Sequence, residues 1–468
     1  MSLSIRILAA TLLFAIPGLC AGQPGTSGVK LAPYKKIALK NGMTVLLMEQ
    51  HKVPLISLSY LIRGGTVADP KGKEGLAAIT ASLLRKGTKT RTADQVSEAL
   101  DSVGATFSSW AEYDFSSGSA EFMKKDTQVG LEMVADMLRN PIFPEAEVKK
   151  ITAQRIDGLK AAKDSAQGVI RNYYNTFLFG THPYGRPTGG SEKSLAAITR
   201  EDVVAFFSSN YLPASTILTI VGDFKSAEME KLVAERFGAW NSAIKPARIE
   251  LPKSQPVAGR RLLLVDKPDA TQTFFMVGNV GAARTNPDRV GIQVVNVLFG
   301  ERFTSMINTA LRIKSGLTYG AHASFAMRQV PGPFAIDSFT ANATTEKALD
   351  LTLEVLHDLH AKGLTEEDLS SAKAYIKGTL PPKLLETGDQ LSELLAQMAF
   401  YGLPDAEVND FYAKVDALTL ADTRRIIQTY YPEKDLTFVL IGKASEIGAA
   451  VKKYAPEVEE KAITAEGF

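Results

Sequence analysis

Cysteine is nearly absent: the 468-residue chain holds one, Cys20. A single thiol excludes a disulfide framework and any cysteine-based zinc or iron–sulfur site. An excess of one charge is lacking as well, with 53 Lys and Arg against 51 Asp and Glu. No basic cluster carries interleaved aromatics, so nothing points to nucleic acid. Past the N-terminal segment, no apolar run reaches the roughly 18 residues of a transmembrane helix. Histidine is scarce, at five residues. The rest is ordinary for a globular protein, 45% hydrophobic and 22% charged, which excludes a disordered tail, a collagen-like fibre and a polytopic membrane protein. Length alone suggests about three domains.

The opening MSLSIRILAATLLFAIPGLCAGQ has an early Arg6, an apolar run from Ile7 to Ile16, and Pro17-Gly18 before small residues. This pattern predicts a secretory signal peptide over residues 1–22, cut near Ala21 or Gly22. Bulky Leu19 before Cys20 argues against a lipid anchor. Cleavage removes the only cysteine and leaves a thiol-free chain suited to an oxidising compartment. The expected location is periplasmic or secreted.

The remainder is written twice. Thr199, Asp202, Tyr211 and Gly222 recur as Thr419, Asp422, Tyr431 and Gly442, each displaced by the same interval, and LEMVADML from Leu131 answers LEVLHDLH from Leu353. The helix beginning at Gly75 has a weaker counterpart beginning at Gly291. A colinear series at nearly constant offset marks two homologous halves. Each half is expected to open on a strand pair, as in KIALKNGMTVLLMEQ with its Asn41-Gly42 hairpin signal. A small-residue helix, an alternating strand segment such as ATFSSWAEYDFSSGSAEF and long amphipathic helices then follow. Each half ends on a helix and an apolar strand closed by glycine, TILTIVGD and LTFVLIGK. This mixture predicts an α+β sandwich. The expected organisation is one unit over residues 33–240, a Pro-rich linker over 241–260 and a second unit over 261–455.

In order, NGMTVLLMEQHKVPLISLSYLIRGGTVADP, GLAAITASLLRKGT, THPYGRPTGG and LFGERFTSMINTALRIKSGLTYGAHASF resemble the insulinase/pitrilysin family, zinc peptidases that include mitochondrial processing peptidase. The resemblance implies two α/β sandwich halves of the mitochondrial processing peptidase and LuxS-like metallohydrolase type. Active members carry H-x-x-E-H on the first helix of the first half. Two His four apart share a helical face and reach one zinc, while the Glu takes a proton from the zinc-bound water. Aligned on GLAAITASLLRKGT, these positions hold Ala78, Ala81 and Ser82, none of which replaces an imidazole or a carboxylate. Where a further glutamate ligand belongs, around residues 157–159, Asp157 is the nearest carboxylate. The resemblance therefore implies no zinc and no other cofactor in this chain.

The histidines offer no substitute motif. His357 and His360 lie three apart on a helix, but the repeat places Ala135 and Leu138 at the matching positions. His182 sits in a family loop read as structural, and His51 and His322 are isolated. The second half keeps the family's Arg and Tyr seven residues apart, as Arg312 and Tyr319 in RIKSGLTY. On composition alone Arg312 reads as a solvated helix residue and Tyr319 as strand core. The motif context turns both toward substrate: a phenol donates to a developing oxyanion, and a guanidinium binds carbonyls in a fork. The segment from Ala105 to Tyr113, including Ser108, Ser109 and Trp110, matches the family's edge strand, onto which peptide adds. Together these features imply a non-catalytic subunit that offers Arg312 and Tyr319 in trans. Its partner would be a homologous zinc-bearing chain in a heterodimer acting on peptides. The alternative is a non-peptidase structural or peptide-binding protein on the same fold.

Overall fold

The computed structural model describes residues 28–247 and 249–468; the expected leader lies outside them. The first half contains β1 (Lys35–Ala38), β2 (Thr44–Glu49), β3 (Leu55–Arg63), β4 (Thr106–Ala111), β5 (Phe115–Met123) and β6 (Thr216–Gly222). The second contains β7 (Arg261–Asp266), β8 (Gln272–Val280), β9 (Ala321–Phe325), β10 (Pro333–Ala341), β11 (Thr437–Gly442) and β12 (Val458–Ala462). Two six-stranded sheets result, ordered β1-β2-β6-β3-β5-β4 and β12-β7-β11-β8-β10-β9. The chain is α+β, in two mixed halves.

The repeated residues are the ones each half needs for the same local geometry. Thr199 and Thr419 cap the helices Arg200–Asn210 and Leu420–Tyr430, each accepting from the amide of the Asp three residues on, which accepts in return from the Thr amide. Such reciprocal capping satisfies two otherwise orphaned donors. Tyr211 and Tyr431 end those helices inside the core. Gly222 recurs as Gly442 because a Cβ there would meet Leu55 O at 2.2 Å in one half and Thr273 Oγ1 at 2.8 Å in the other.

Two features depart from the sequence expectation. The Asn41-Gly42 turn does join the antiparallel pair β1 and β2. In the second half, however, the equivalent edge is filled by β12, which arrives from the C-terminus and runs parallel to β7. That strand lies past residue 455, so the second unit extends beyond its expected end. Residues 241–260 carry no helix or strand among the described residues.

The halves also exchange helices. Along β11, Phe438 and Leu440 pack into their own half's core, while Val439 and Ile441 face the opposite way. That opposite face is covered by helix Ala166–Phe179, contributed by the first half. In return, helix Gly388–Tyr401 of the second half covers the outer face of β3 and β6, burying Leu46, Leu61, Ile217 and Val221. Strands buried on both faces read as continuous apolar runs rather than alternating ones, which accounts for TILTIVG and TFVLIG.

Asp114 locks this exchange. It is 5% exposed and accepts hydrogen bonds from Tyr184 Oη at 2.6 Å, the Gln329 amide at 2.8 Å and Tyr401 Oη at 3.3 Å. Those donors come from the first half, the second half and the exchanged helix. The Arg328 guanidinium lies 3.8 Å from the Tyr113 ring centre and 4.8 Å from that of Tyr184, so a cation from one half stacks on aromatic faces of the other.

Candidate functional site

Helix Leu76–Leu83 is short, built of small residues and almost wholly buried. Its start is fixed by Gly75, whose φ of 96° suits glycine, and by the Asp69 carboxylate, which accepts from the Gly75 and Ala77 amides at 2.8 Å each. Ala78 and Ala81 are buried and have no donor atom to offer. The Ser82 hydroxyl donates to Ala78 O at 2.9 Å and accepts from Arg155 Nη2 at 2.6 Å; the same nitrogen lies 3.3 Å from Ala78 O.

Arg155 stands on helix Glu145–Ala162, one turn before the residues where a carboxylate was sought. Asp157 is exposed on that helix. Burial holds the Arg155 guanidinium below the usual arginine range. A divalent cation placed here would meet a fixed positive charge and one hydroxyl, so these residues do not fit zinc. Sequence reading missed Arg155 because it searched for acids.

The histidines have other partners. His357 Nδ1 is 2.7 Å from Glu433, His360 Nε2 is 2.7 Å from Tyr431 O, and His51 Nδ1 is 2.7 Å from Asp223. His182 accepts the Tyr184 amide at 3.0 Å, ordering the turn that delivers Tyr184 to Asp114. Among the described residues, no three His, Cys, Asp or Glu side chains converge to hold a metal.

The structure brings Arg312 and Tyr319 together. Arg312 belongs to the wide helical turn Thr309–Lys314, and Tyr319 to the loop before β9. The guanidinium carbon sits 4.3 Å from the Tyr319 ring centre and 4.8 Å from that of Phe303. Tyr319 is 76% exposed, so the strand-core reading of this residue is wrong: the phenol ends in solvent. The pair borders a cavity of about 470 Å³ that also takes Arg171 and Gln167 from the exchanged helix, and His322 and Asp337 from the adjoining strands. His322 and Asp337 face each other in the β9–β10 register. Burial raises the Asp337 carboxyl above its usual range, with Arg171 and His322 pulling it back.

Strand β4 is the free edge of the first sheet, paired only with β5. The Glu112 amide donates to Phe115 O at 2.8 Å, and alternation along the ladder then points the amides of Ala111, Ser109 and Phe107 to the open side. The Ser109 side chain does not face outward with its amide. Its hydroxyl accepts from the buried Tyr60 Oη at 2.7 Å, because alternation sends side chains 107 and 109 to the core face. Ser108 is exposed. Trp110 borders a recess of about 310 Å³ with Arg284, Arg328 and Tyr401 of the second half.

Two sandwich halves that each lay a helix across the central strands of the other's sheet, with a ligand-less helix in the first half and an Arg/Tyr pair in the second, define a two-halved metallopeptidase fold. Residues 44–192 match the model of the insulinase family, peptidase family M16, and residues 197–376 match the model described as the peptidase M16 inactive domain. The chain belongs to the insulinase family, as a non-catalytic member. It is 23% identical over 390 residues to an uncharacterized zinc protease of Rickettsia bellii, covering 82% of this chain and 92% of that one. With an uncharacterized zinc protease of Bacillus subtilis it shares 21% over 358 residues, covering 76% and 86%. The crystal structure of a peptidase M16 inactive domain from Pseudomonas fluorescens has the same fold, with a TM-score of 0.82 at 23% identity over 88% of this chain and 98% of that one. A protease from Helicobacter pylori gives 0.81 at 21%, over 88% and 100%. Among the described residues, no helix is long and apolar enough to cross a membrane.

Proposed function

We propose that this chain is the non-catalytic subunit of an exported, zinc-dependent peptidase, and that it lends Arg312 and Tyr319 to an active site whose zinc is held by a homologous partner chain. The observation that carries this reading is the pre-stacked, solvent-facing pair beside its cavity. A phenol that is 76% exposed contributes little to its own fold, and a guanidinium held over its ring is already beside it for use. The partner's zinc would supply the Lewis acid and the nucleophilic water. Tyr319 donates a hydrogen bond to the oxygen on which negative charge develops, and Arg312 holds a neighbouring peptide carbonyl. Strand β4 supports the same reading from the other half, since its open amides suit addition of an extended peptide. The apolar run after Arg6 supports export.

The test is a mixing experiment. The purified chain is expected to carry no stoichiometric zinc by elemental analysis and to leave an unstructured peptide uncut. Mixed with a homologous chain bearing an intact H-x-x-E-H from the same organism, it is expected to form a heterodimer that cuts the peptide. One zinc per chain with chelator-sensitive activity in the isolated protein would overturn the proposal. Heterodimer formation without turnover would favour the structural or peptide-binding alternative.

A further inference from the structure

Arg312 has nothing polar to hold it. Among the described residues its guanidinium makes no hydrogen bond and meets no carboxylate at ion-pair distance. Other buried or half-buried arginines are fixed by such partners: Arg91 by Glu132 and Asp136, Arg289 by Glu407, and Arg261 by the carbonyls of Phe177 and Leu178. Arg312 has two aromatic rings instead. Its guanidinium carbon lies 4.3 Å from the ring centre of Tyr319 and 4.8 Å from that of Phe303, both within the range of a cation–π contact. Phe303 is 60% exposed and stands outside the hydrophobic cluster of its half, so core packing does not account for its ring.

The backbone that carries the two rings is fixed at one buried point. Phe303 lies between the wide helical turn Val297–Glu301 and the short helix Met306–Asn308, and Tyr319 lies on the loop into β9. Asn308, 2% exposed, reaches both segments: its Nδ2 donates to Phe303 O at 2.6 Å, and its Oδ1 accepts from the Ala321 amide at 3.2 Å. The loop is pinned again next to Arg312, where the Leu317 and Thr318 amides donate to Leu311 O at 2.9 and 3.3 Å. The rings are therefore placed by backbone hydrogen bonds, and the long arginine side chain, which would otherwise sample many rotamers, lies between them. We propose that Phe303 is a positioning residue, the second face of an aromatic clamp that holds the Arg312 guanidinium ready for a substrate carbonyl. A ring face restrains the cation and leaves the N–H donors of its fork unspent, which an ion pair would not. This rests on the reading of Arg312 as a substrate-binding group supplied in trans, and adds the residue that prepares it.

Two measurements test the clamp. The first needs no partner. In the isolated chain the ring currents of Phe303 and Tyr319 displace the NMR signals of the Arg312 side chain from those of a free arginine. Phe303→Leu, which keeps apolar bulk and removes the ring, is expected to move them back. The second is kcat/KM for an unstructured peptide cut by the reconstituted pair. Phe303→Leu is expected to lower it about two- to fivefold, the worth of one cation–π contact at an exposed site, and Phe303→Tyr to restore it. In an Arg312→Met background Phe303→Leu is expected to have no further effect, because it acts through the guanidinium. Thermal transitions and the Kd of the pair check folding and assembly, and Phe303→Met replaces Phe303→Leu if that variant does not fold. Arg312 signals that stay in place in Phe303→Leu overturn the clamp. Unchanged kcat/KM beside moved signals overturns its role in cleavage, as does a loss that persists in Arg312→Met or that comes from weaker assembly. If Arg312→Met itself leaves turnover intact, or if the pair cuts nothing, the reading of Arg312 as a group supplied in trans fails, and the NMR result still decides the clamp.

Discussion

Replacing Asp114 by alanine should loosen the whole molecule, and the cost follows from its partners. The carboxylate is 5% exposed and receives three hydrogen bonds, two of them short. Its removal leaves the Tyr184 hydroxyl buried with no acceptor, which costs about 1–3 kcal/mol, and deprives the part-buried Gln329 amide of its partner at a smaller cost. The Tyr401 contact, at 3.3 Å, adds less. Asp114→Ala is therefore expected to destabilise by about 2–4 kcal/mol. Tyr184→Phe, which deletes one donor and leaves the carboxylate its other bonds, should cost about 1–2 kcal/mol. The two changes share a partner, so their combination should fall short of the sum in a double-mutant cycle. Urea unfolding followed by tryptophan fluorescence measures the total. Hydrogen exchange should show the loss locally, at the β4–β5 turn and at Gln329. A loss below about 1 kcal/mol for Asp114→Ala, with unchanged exchange at both places, would refute the assignment of Asp114 as the lock between the halves.

Asp69 gives a pH dependence. Burial, working against the amides of Ala77 and Gly75, pushes its carboxyl from 3.8 up to about 7. The folded chain then keeps a proton that the unfolded chain releases, so stability is full below about pH 4 and falls as pH rises toward 7, by at most about 1.4 kcal/mol per unit. Asp69→Asn should flatten that slope, and an unchanged slope in thermal unfolding across pH 4–8 would count against it. Arg312→Lys keeps the charge but loses the planar fork and the stack on Tyr319 and Phe303. It should lower peptide turnover by the reconstituted pair at least about tenfold while leaving assembly intact, and unchanged kcat/KM would contradict it. Ser109→Ala removes the acceptor for Tyr60 Oη and should cost about 1–3 kcal/mol, measured by urea unfolding, whereas Ser108→Ala should be near neutral.

Much of the frame could be read from residues close together in the chain. Thr199/Asp202 and Thr419/Asp422 advertise the same helix cap twice, Asn41-Gly42 marks the first hairpin, and the missing His and Glu at residues 78, 81 and 82 are visible without a structure. Arg312 and Tyr319 could be paired only through the resemblance of RIKSGLTY to the family motif; the short helix-to-loop step that brings them within stacking distance is what the structure adds. What escaped depends on distance in sequence or on register. The exchanged helices leave only a weak local sign, the unbroken apolar runs TILTIVG and TFVLIG, and nothing local says which helix supplies the cover. Strand β12 joins its sheet from the far end of the chain. The inward turn of Ser109 follows from the parity of the β4–β5 register. Arg155 was missed because its long side chain reaches Ser82 from another helix, 73 residues away in sequence, and because an arginine is not what a metal-ligand search looks for. The register pair His322 and Asp337 was invisible while β10 was unplaced, so His322 looked isolated.

The central claim is that this chain completes a partner's active site with Tyr319, and one substitution tests it most directly. Tyr319→Phe keeps the ring that carries Arg312 and removes only the hydroxyl. With the heterodimer reconstituted from the zinc-bearing homologue, zinc content, assembly and thermal stability should be unchanged. Peptide turnover should fall by about 10²–10³, equivalent to about 2.7–4 kcal/mol for one lost oxyanion donor. Full turnover by the Tyr319→Phe pair would contradict the account, leaving the Arg312/Tyr319 stack without a catalytic role.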